Sequence, residues 1–508
     1  MNASQLPAAG VMLVTLLGCT PRSYQPPKID YTLRTPPGAA AIDAGAEASP
    51  TATSPTPDRP PATAPATETV QLEHVVQSVL RRYPPMLAKL LERDLASGRL
   101  LQAMGGFDTN VAARVGGRVE SYYDSTVAYG LLEQPLATGD TLYGGYRISD
   151  GLLPAYDKDR TQDDGEFVFG GRFPLLQNRS IDKRRADVRL AEIGVELAEP
   201  KIQAARIEYV RKATAAFHKW VATGQKLTIA RELLQLAQDR DEGLRRAVDR
   251  QFLAPIALVD NERLVAQRRI HVARAERAFQ QASLVLSLFL RGDDDRPLVP
   301  TEQHLPGEPH ALPGQPGALA DALQLAARQR PDLHALQLEI DKTETERALA
   351  DNQTLPYLDV VVEGARSLSD GPYKDREDLE LFVGGELKVP VQRRAARGKL
   401  QQATAKLHAL RLEQQFARDR ISNELLDARS AMETARQQLQ DTERNVDLAR
   451  QLVVAEQRAF DLGRSDLLRI QLREVTLADA RASAIDARLG LLLAHTDYRA
   501  ALGFGDAP

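Results

Sequence analysis

Few residues of this chain are arranged as a catalytic or ligand-binding site requires. The eight histidines are scattered, and no His-Glu-x-x-His or clustered-cysteine pattern occurs, so the spacing predicts no metal site. Gly-x-Gly-x-x-Gly and phosphate-loop patterns are absent, and no serine lies in a nucleophile-elbow motif. The acidic run Asp293-Asp294-Asp295 lacks the spacing of a calcium loop and is interpreted as a solvated turn. The sequence therefore predicts a protein that is not an enzyme and has no cofactor.

Cys19, the only cysteine, is the one residue positioned for a covalent modification. A short apolar run, Ala8 to Leu17, precedes it, as in a secretory signal peptide. The sequence Leu16-Leu17-Gly18-Cys19 is similar to a bacterial lipoprotein box, whose cysteine sulfur receives diacylglycerol and becomes the new N-terminus. We therefore expect a signal peptide over residues 1–18 and lipidation of Cys19. The alternative is a single buried cysteine near a flexible N-terminus. Thr20, rather than an aspartate, follows the cysteine, which favours the outer membrane over the inner one.

The composition excludes one class of partner and predicts a tether. Charged residues make up 26% of the 508 residues with a net charge of only −4, and no basic block occurs, so nucleic acid is not an expected partner. Residues 20–68 are rich in Pro, Ala, Thr and Ser, a composition that cannot bury a core. We expect residues 19–68 to form a disordered tether that begins at the lipidated cysteine.

From residue 69 onwards the sequence predicts two copies of one unit. Each copy has a short helix before a proline (Pro84 and Pro331), extended segments, a very long helix, a break and a shorter helix. The predicted segments are a first repeat over residues 69–296, a linker over 297–316, a second repeat over 317–503 and a tail over 504–508. The offset between corresponding landmarks falls from about 248 residues to 211, mostly because the first copy has the longer extended region.

The extended segments alternate apolar and charged residues, as strands with two different faces do. In the second copy, Leu381 and Val383 share one face while Glu380 and Glu386 share the other. The charged residues predicted to lie on the polar faces are Arg114, Arg118, Glu120, Glu166, Arg172, Asp359, Glu363, Glu380, Glu386 and Lys388. This alternation is expected of a membrane barrel with a wet lumen. A water-exposed antiparallel sheet on a helical core would give the same pattern.

Two segments, 178–251 and 395–462, are predicted to be nearly unbroken helices, each on the order of 100 Å long. Their apolar residues follow the 3-4 spacing of a coiled coil, and about half of the seam positions are alanine. Roughly four strands per chain cannot close a barrel alone, because about eight strands is the smallest number that closes. We therefore expect the chain to oligomerise.

The order of these elements across residues 69–503 resembles the TolC family of outer-membrane efflux proteins. The sharpest local match is the tip of the second copy, Phe460-Asp461-Leu462-Gly463-Arg464-Ser465-Asp466-Leu467-Leu468. The run from Pro390-Val391-Gln392 to Gly398-Lys399 is similar to the family's strand-to-helix junction. The resemblance implies a mainly α fold with β structure. Its duplicated strand and long-helix repeat would form a trimeric 12-stranded outer-membrane β-barrel plus a periplasmic α-helical coiled-coil tunnel.

The same resemblance implies a function without chemistry. It suggests a passive exit duct of a tripartite efflux or secretion system, anchored in the outer membrane, that docks to a periplasmic adaptor protein and an inner-membrane pump. The residues expected at its periplasmic entrance are Phe460, Gly463, Arg464, Ser465, Asp466 and Arg469. The tip of the first copy lacks the glycine, and Pro255 is expected to set its turn. The alternative is a lipid-anchored periplasmic scaffold or adaptor, which would not explain strands with opposite faces.

Overall fold

The computed structural model describes residues 62–63, 69–118, 120, 122–154, 157–251, 254–307, 311–370, 373 and 378–506. The chain divides into two units, Met1–Arg59 and Pro60–Pro508, and all of the described residues belong to the second. The predicted signal peptide, the lipidation of Cys19 and nearly all of the predicted tether therefore lie outside the described residues. At the end of that tether, strand β1 (Ala62–Thr63) pairs in parallel with β6 (Leu298–Val299).

Helices of the two copies follow the predicted order. The first copy contains α1 (Leu72–Arg82), α2 (Pro84–Leu90), α3 (Glu92–Met104), α4 (Lys183–Asp249) and α5 (Ile256–Ser287). The second contains α6 (Leu319–Gln329), α7 (Pro331–Asn352), α8 (Arg394–Asp461) and α9 (Leu467–Leu502). The proline of each copy lies in the first turn of α2 or α7. The backbone N–H groups of a first turn have no acceptor within the helix, so proline, which lacks an N–H, is tolerated there.

The two longest helices confirm the prediction of extended rods. Helix α4 has 67 residues and α8 has 68, so each is roughly 100 Å long at about 1.5 Å per residue. Helix α4 packs along α5, and α8 packs along α9, while α4 also contacts α7 and α9 and so joins the two copies. Among the described residues, no helix is both long enough and apolar enough to cross a lipid bilayer.

Apolar seams hold these helices together as the heptad spacing predicts. Leu425 and Met432 of α8 are buried in one cluster with Tyr498 of α9, and Leu439 of α8 is buried in another with Leu491 of α9. Small alanines between these residues, such as Ala428, allow the helix axes to approach closely. The largest buried cluster lies where α1 packs on α4 and α5, and its members include Val75, Val79, Phe217, Trp220 and Leu286. The indole N–H of Trp220 donates a hydrogen bond to the hydroxyl of Ser283 at 3.1 Å.

A six-stranded antiparallel sheet lies at one end of the helices. Its strands are β2 (Asn110–Arg118), β3 (Ser125–Pro135), β4 (Thr141–Gly151), β5 (Glu166–Pro174), β7 (Tyr357–Ser367) and β8 (Glu380–Lys388), hydrogen-bonded in that order. The first copy contributes four strands and the second contributes two, whereas roughly four per chain were expected. The hairpin β3–β4 accounts for the difference, and it occupies the extra length of the first copy's extended region.

The turn of the additional hairpin is fixed to the helical end of the sheet. The carboxylate of Asp140 accepts a hydrogen bond from the guanidinium of Arg179, just before α4, at 3.3 Å. The side-chain amide of Gln134 donates to the carbonyl of Phe107 at 2.8 Å. Because these contacts tie the turn to segments on both sides, β3 and β4 are an integral part of the sheet.

Candidate functional site

The sheet has one apolar face, and that face is exposed. Residues directly opposite each other in an antiparallel ladder share a face, and the register aligns Val111, Leu132, Phe169 and Leu381 across the sheet. Nine large apolar side chains on this face are each at least 42% exposed: Val111, Val115, Leu132, Leu142, Phe167, Phe169, Leu381, Val383 and Leu387. A contiguous exposed apolar surface of this extent is typical of a surface that contacts lipid or a protein partner.

The opposite face carries the charged residues that the alternation predicts. The register brings nine of them to one face: Arg114, Arg118, Glu166, Arg172, Asp359, Glu363, Glu380, Glu386 and Lys388. The tenth, Glu120, follows the end of β2 with a φ of 60° and is exposed outside the ladder. The assignment of this face to a lumen stays a prediction.

Contacts across the polar face include residues that the sequence did not single out. The hydroxyl of Tyr143 donates to the carboxylate of Glu363 at 2.7 Å and reaches over Gly170, which lies between them in the ladder. A Cβ at Gly170 would lie 2.6 Å from the ring of Tyr143, so glycine is required for this contact. The guanidinium of Arg147 donates to Glu166 at 2.7 Å. Tyr143 and Arg147 belong to the additional hairpin, which explains why they were missed.

The tip between α8 and α9 is built around Gly463. Its φ of +68° is left-handed, and its N–H donates to the carbonyl of Phe460 at 2.8 Å. The N–H of Arg464 donates to the carbonyl of Ala459 at 2.7 Å, which completes a Schellman helix end. The carboxylate of Asp466 then caps α9 by accepting from the N–H of Arg469 at 2.9 Å. Gly463 therefore ends α8 through its left-handed conformation.

Both tips expose apolar side chains. At the second copy's tip these are Phe460, Leu462, Leu468 and Leu472. Ser465 instead hydrogen-bonds to the carboxylate of Glu456. At the first copy's tip, Ile256 and Val259 are exposed, Pro255 precedes the first residue of α5, and Gln251 takes the left-handed conformation with a φ of 60°. Exposed apolar side chains at both tips are typical of surfaces that contact a partner.

Oppositely charged side chains pair α4 with α9 along the contact between the copies. The pairs are Arg211–Asp497, Lys226–Asp486, Glu232–Arg481 and Arg240–Glu474. The pair nearest the tips is the least exposed, with Arg240 and Glu474 2.6 Å apart and only 16% and 12% exposed. Burial lowers the pKa of the nearby Arg268 guanidinium, and the charge of Glu474 opposes that effect. Glu474 therefore compensates one partly buried cation, Arg240, and one buried cation, Arg268.

Comparisons with known proteins agree with this arrangement. Residues 322–504 match the sequence model of the outer membrane efflux protein family. No curated protein matches the chain. A membrane protein from Pseudomonas aeruginosa is 17% identical with a TM-score of 0.61, and the match covers 88% of this chain and 99% of that one. The outer membrane protein VceC from Vibrio cholerae is 15% identical with a TM-score of 0.61, covering 85% and 96%. The MtrE outer membrane channel of Neisseria gonorrhoeae is 14% identical with a TM-score of 0.60, covering 85% and 89%.

These matches define the class of fold. Most of the described chain has the fold of the solved outer-membrane channels, and nearly all of the second copy carries the sequence pattern of the efflux family. The resemblance inferred from the tip and from the order of elements is thus confirmed, as is the mainly α fold with a sheet and long helices.

Proposed function

We propose that the protein is the outer-membrane exit duct of a tripartite efflux or secretion system and is not an enzyme. The observation that carries this proposal is a sheet with one exposed apolar face and one charged face, joined to two helices of roughly 100 Å. Strands of 9 to 11 residues match the length that spans a bilayer when tilted. In this arrangement the apolar face contacts lipid, the charged face lines a water-filled lumen, and cargo passes without chemistry.

Closure of the sheet requires further copies of the chain, and a homotrimer is the proposed assembly. Strands β2 and β8 are the two edges of the sheet, and unpaired edges are avoided in membranes. Five antiparallel pairings separate them, so β8 of one copy can pair antiparallel with β2 of the next. Three copies would contribute 18 strands rather than 12. The barrel would be about 36 Å across, against about 24 Å for 12 strands.

The other ends of the rods supply the proposed entrance and docking surface. Phe460, Gly463, Arg464, Ser465, Asp466 and Arg469 lie at or beside the second copy's tip, where an adaptor protein linked to an inner-membrane pump would bind. Lipidation of Cys19 would add a second anchor in the outer membrane. The exposed apolar side chains of both tips support a protein partner at this end.

The full-length protein, purified in detergent, tests this function through its mass and its conductance. A trimer that gives discrete current steps in a planar bilayer would support the duct. A monomer or dimer without conductance, whose strands are digested by protease in liposomes and which is released whole when its lipid is removed, would favour the scaffold instead. Counting the strands in a cryo-EM reconstruction of the trimer distinguishes an 18-stranded barrel from a 12-stranded one.

A further inference from the structure

In the connection between β4 and β5, residues 157–165 fold onto the polar face of the sheet. We call its residues 157–162 the inner loop. The backbone N–H of Thr161 donates to the hydroxyl of Ser149 at 2.8 Å, and the backbone N–H of Ser149 donates to the hydroxyl of Thr161 at 2.9 Å. Ser149 is two residues from Arg147 along β4, so its side chain lies on the polar face. The inner loop is therefore attached to that face.

Contacts of the inner loop extend from β2 to the connection between β7 and β8. At one end the carboxylate of Asp157 accepts two hydrogen bonds, each 3.4 Å long, from the guanidinium of Arg118 on β2. At the other end the side-chain amide of Gln162 donates to the carbonyl of Tyr373 at 2.5 Å and accepts from its N–H at 3.2 Å. Tyr373 lies in the connection between β7 and β8. Four strand spacings, about 19 Å, separate β2 from β7.

Burial and pairing show that this position is fixed. Gln162 is 0% exposed, Thr161 3% and Arg160 8%, whereas connecting segments of polar residues usually lie in water. The guanidinium of Arg160 stacks 3.4 Å above the ring of Tyr373. Arg147 donates to Asp159 at 3.2 Å as well as to Glu166. Buried polar groups that find partners in this way hold a single conformation.

We propose that the inner loop is a constriction of the pore at the end farthest from the helices, and that it sets the largest solute able to pass there. This inference rests on the proposed function, because the polar face is a lumen only if the sheet closes. The lumen of a barrel about 36 Å across, measured between backbones and reduced by the inward side chains, would still admit small proteins. Three inner loops, one from each copy, narrow the lumen so that only small molecules and unfolded or otherwise thin polypeptide chains can pass.

A single cysteine below the inner loop measures this constriction directly. Phe382 lies on the polar face of β8 and is 61% exposed, so Phe382→Cys reports access to the lumen. Tyr122→Cys, at an 81% exposed position at the same end of the sheet, reports access outside it. In intact cells we expect a maleimide on 5 kDa polyethylene glycol to label position 122 at least tenfold faster than position 382. A small maleimide should label both, and cells without the added cysteine give the background.

Loosening the inner loop should abolish that size discrimination. The variant Asp157→Ala/Asp159→Ala/Thr161→Ala removes its side-chain contacts to Arg118, Arg147 and Ser149. We expect the large reagent to label Phe382→Cys about tenfold faster in this background. The matched control is Asp163→Ala/Asp164→Ala, two exposed residues just outside the inner loop, which should change nothing.

Two outcomes would overturn the constriction, and a separate one would overturn the function. Equal labelling of positions 122 and 382 by the large reagent in the unaltered loop excludes a constriction even if the triple variant fails to fold. An unchanged rate in a folded triple variant excludes the inner loop as its cause. Val115→Cys, on the apolar face and 74% exposed, tests the function by itself. If a water-soluble maleimide labels it as fast as Tyr122→Cys, the sheet does not contact lipid.

Discussion

At the scale of single residues, Gly463 shows how one backbone conformation shapes the tip. A Cβ at this position would meet nothing within 4 Å, so no packing clash requires glycine. The requirement is the left-handed φ, which costs an L-residue roughly 1–2 kcal/mol. The helix end and the cap at Asp466 follow within three residues, so the reversal of the chain is specified locally.

Gly463→Ala should therefore lower stability by about 1 kcal/mol. The measurement is the midpoint of thermal unfolding of the trimer in detergent, followed by circular dichroism. Gly398→Ala provides the control, because Gly398 lies inside α8 with nothing within 4 Å of a Cβ and alanine is the better helix former by about 0.5–1 kcal/mol. Equal midpoints for the two variants would show that the left-handed turn does not matter to stability.

Asp332, at the start of α7, is a second residue whose local contacts stabilise the folded chain. Its two oxygens accept hydrogen bonds from Arg330 at 3.0 and 2.8 Å, and Arg330 also donates to Glu424 of α8 at 2.8 Å. Burial alone would raise the pKa of Asp332, but the hydrogen bonds and charge of Arg330 outweigh it and hold the pKa below its usual value. Asp332 thus stabilises the folded chain in its ionised form.

Because the folded-state pKa of Asp332 is depressed, its stabilisation is present above the ordinary aspartate pKa of about 4 and is lost as the pH falls through the folded value. Asp332→Asn should lower the unfolding midpoint at pH 7, by an amount that shrinks towards pH 3. Asp341→Asn, at a half-buried position in the same helix where the carboxylate accepts from the amide of Gln337 rather than from an arginine, should have little effect at either pH. A constant difference between wild type and Asp332→Asn across this range would contradict the linkage.

At the scale of elements, the sheet and the rods obey different physical requirements. The rods are stabilised by apolar seams, while the sheet leaves its apolar face uncovered. Val383 and Phe382 are neighbours on β8 that point to opposite faces, and both are exposed, at 64% and 61%. Substitutions at these two positions therefore compare the two faces of the sheet on the same strand, at nearly the same depth and exposure.

Val383→Lys should impair membrane assembly, because a lysine facing lipid costs about 2–4 kcal/mol near the bilayer midplane. Phe382→Lys should be tolerated, since a charge on the polar face stays in water. The yield of trimer in outer-membrane extracts measures both. Equal yields of the two variants would mean that the two faces of the sheet do not differ in their contact with lipid and water.

The contact of α4 with α9 near the tips supplies another element-scale test. Glu474→Gln removes the carboxylate that pairs with Arg240 and lies near Arg268, and breaking a fully buried pair costs about 3–5 kcal/mol, an upper bound for this partly buried one. We expect faster amide hydrogen exchange in α4 and α9 near the tips. Glu232→Gln breaks the more exposed pair with Arg481, which contributes about 0–1 kcal/mol, so exchange there should hardly change. Similar acceleration in both variants would argue against a special role for the buried pair.

The sequence predicted the elements whose patterns repeat without interruption. The helical seams of α4, α8 and α9 and the alternation in β2, β5, β7 and β8 were visible because each pattern runs for many residues. The hairpin β3–β4 was missed because Leu131-Leu132 and Gly144-Gly145 interrupt its alternation. One signal was available, since the first copy exceeds the second by about the length of such a hairpin. The inner loop had no signal, because its contacts join residues far apart in the chain.

At the scale of the whole molecule, the described unit divides into a sheet that requires other copies and rods that are already packed. Each rod pairs with a partner helix of its own copy, whereas both sheet edges end without one. We therefore expect the proposed assembly to depend more on the strands than on the helices. Protease digestion of the rods, after the trimer has formed in detergent, should leave a trimeric strand fragment visible by native mass spectrometry.

The additional hairpin also limits how a pore of this kind can change width. A chain that enters and leaves the sheet on its helical side must contain an even number of strands, so strands are gained or lost in pairs. With three copies, each such event alters the circumference by six strands at once. Pore diameter in this architecture would therefore evolve in discrete steps, and an element such as the inner loop provides the fine adjustment between them.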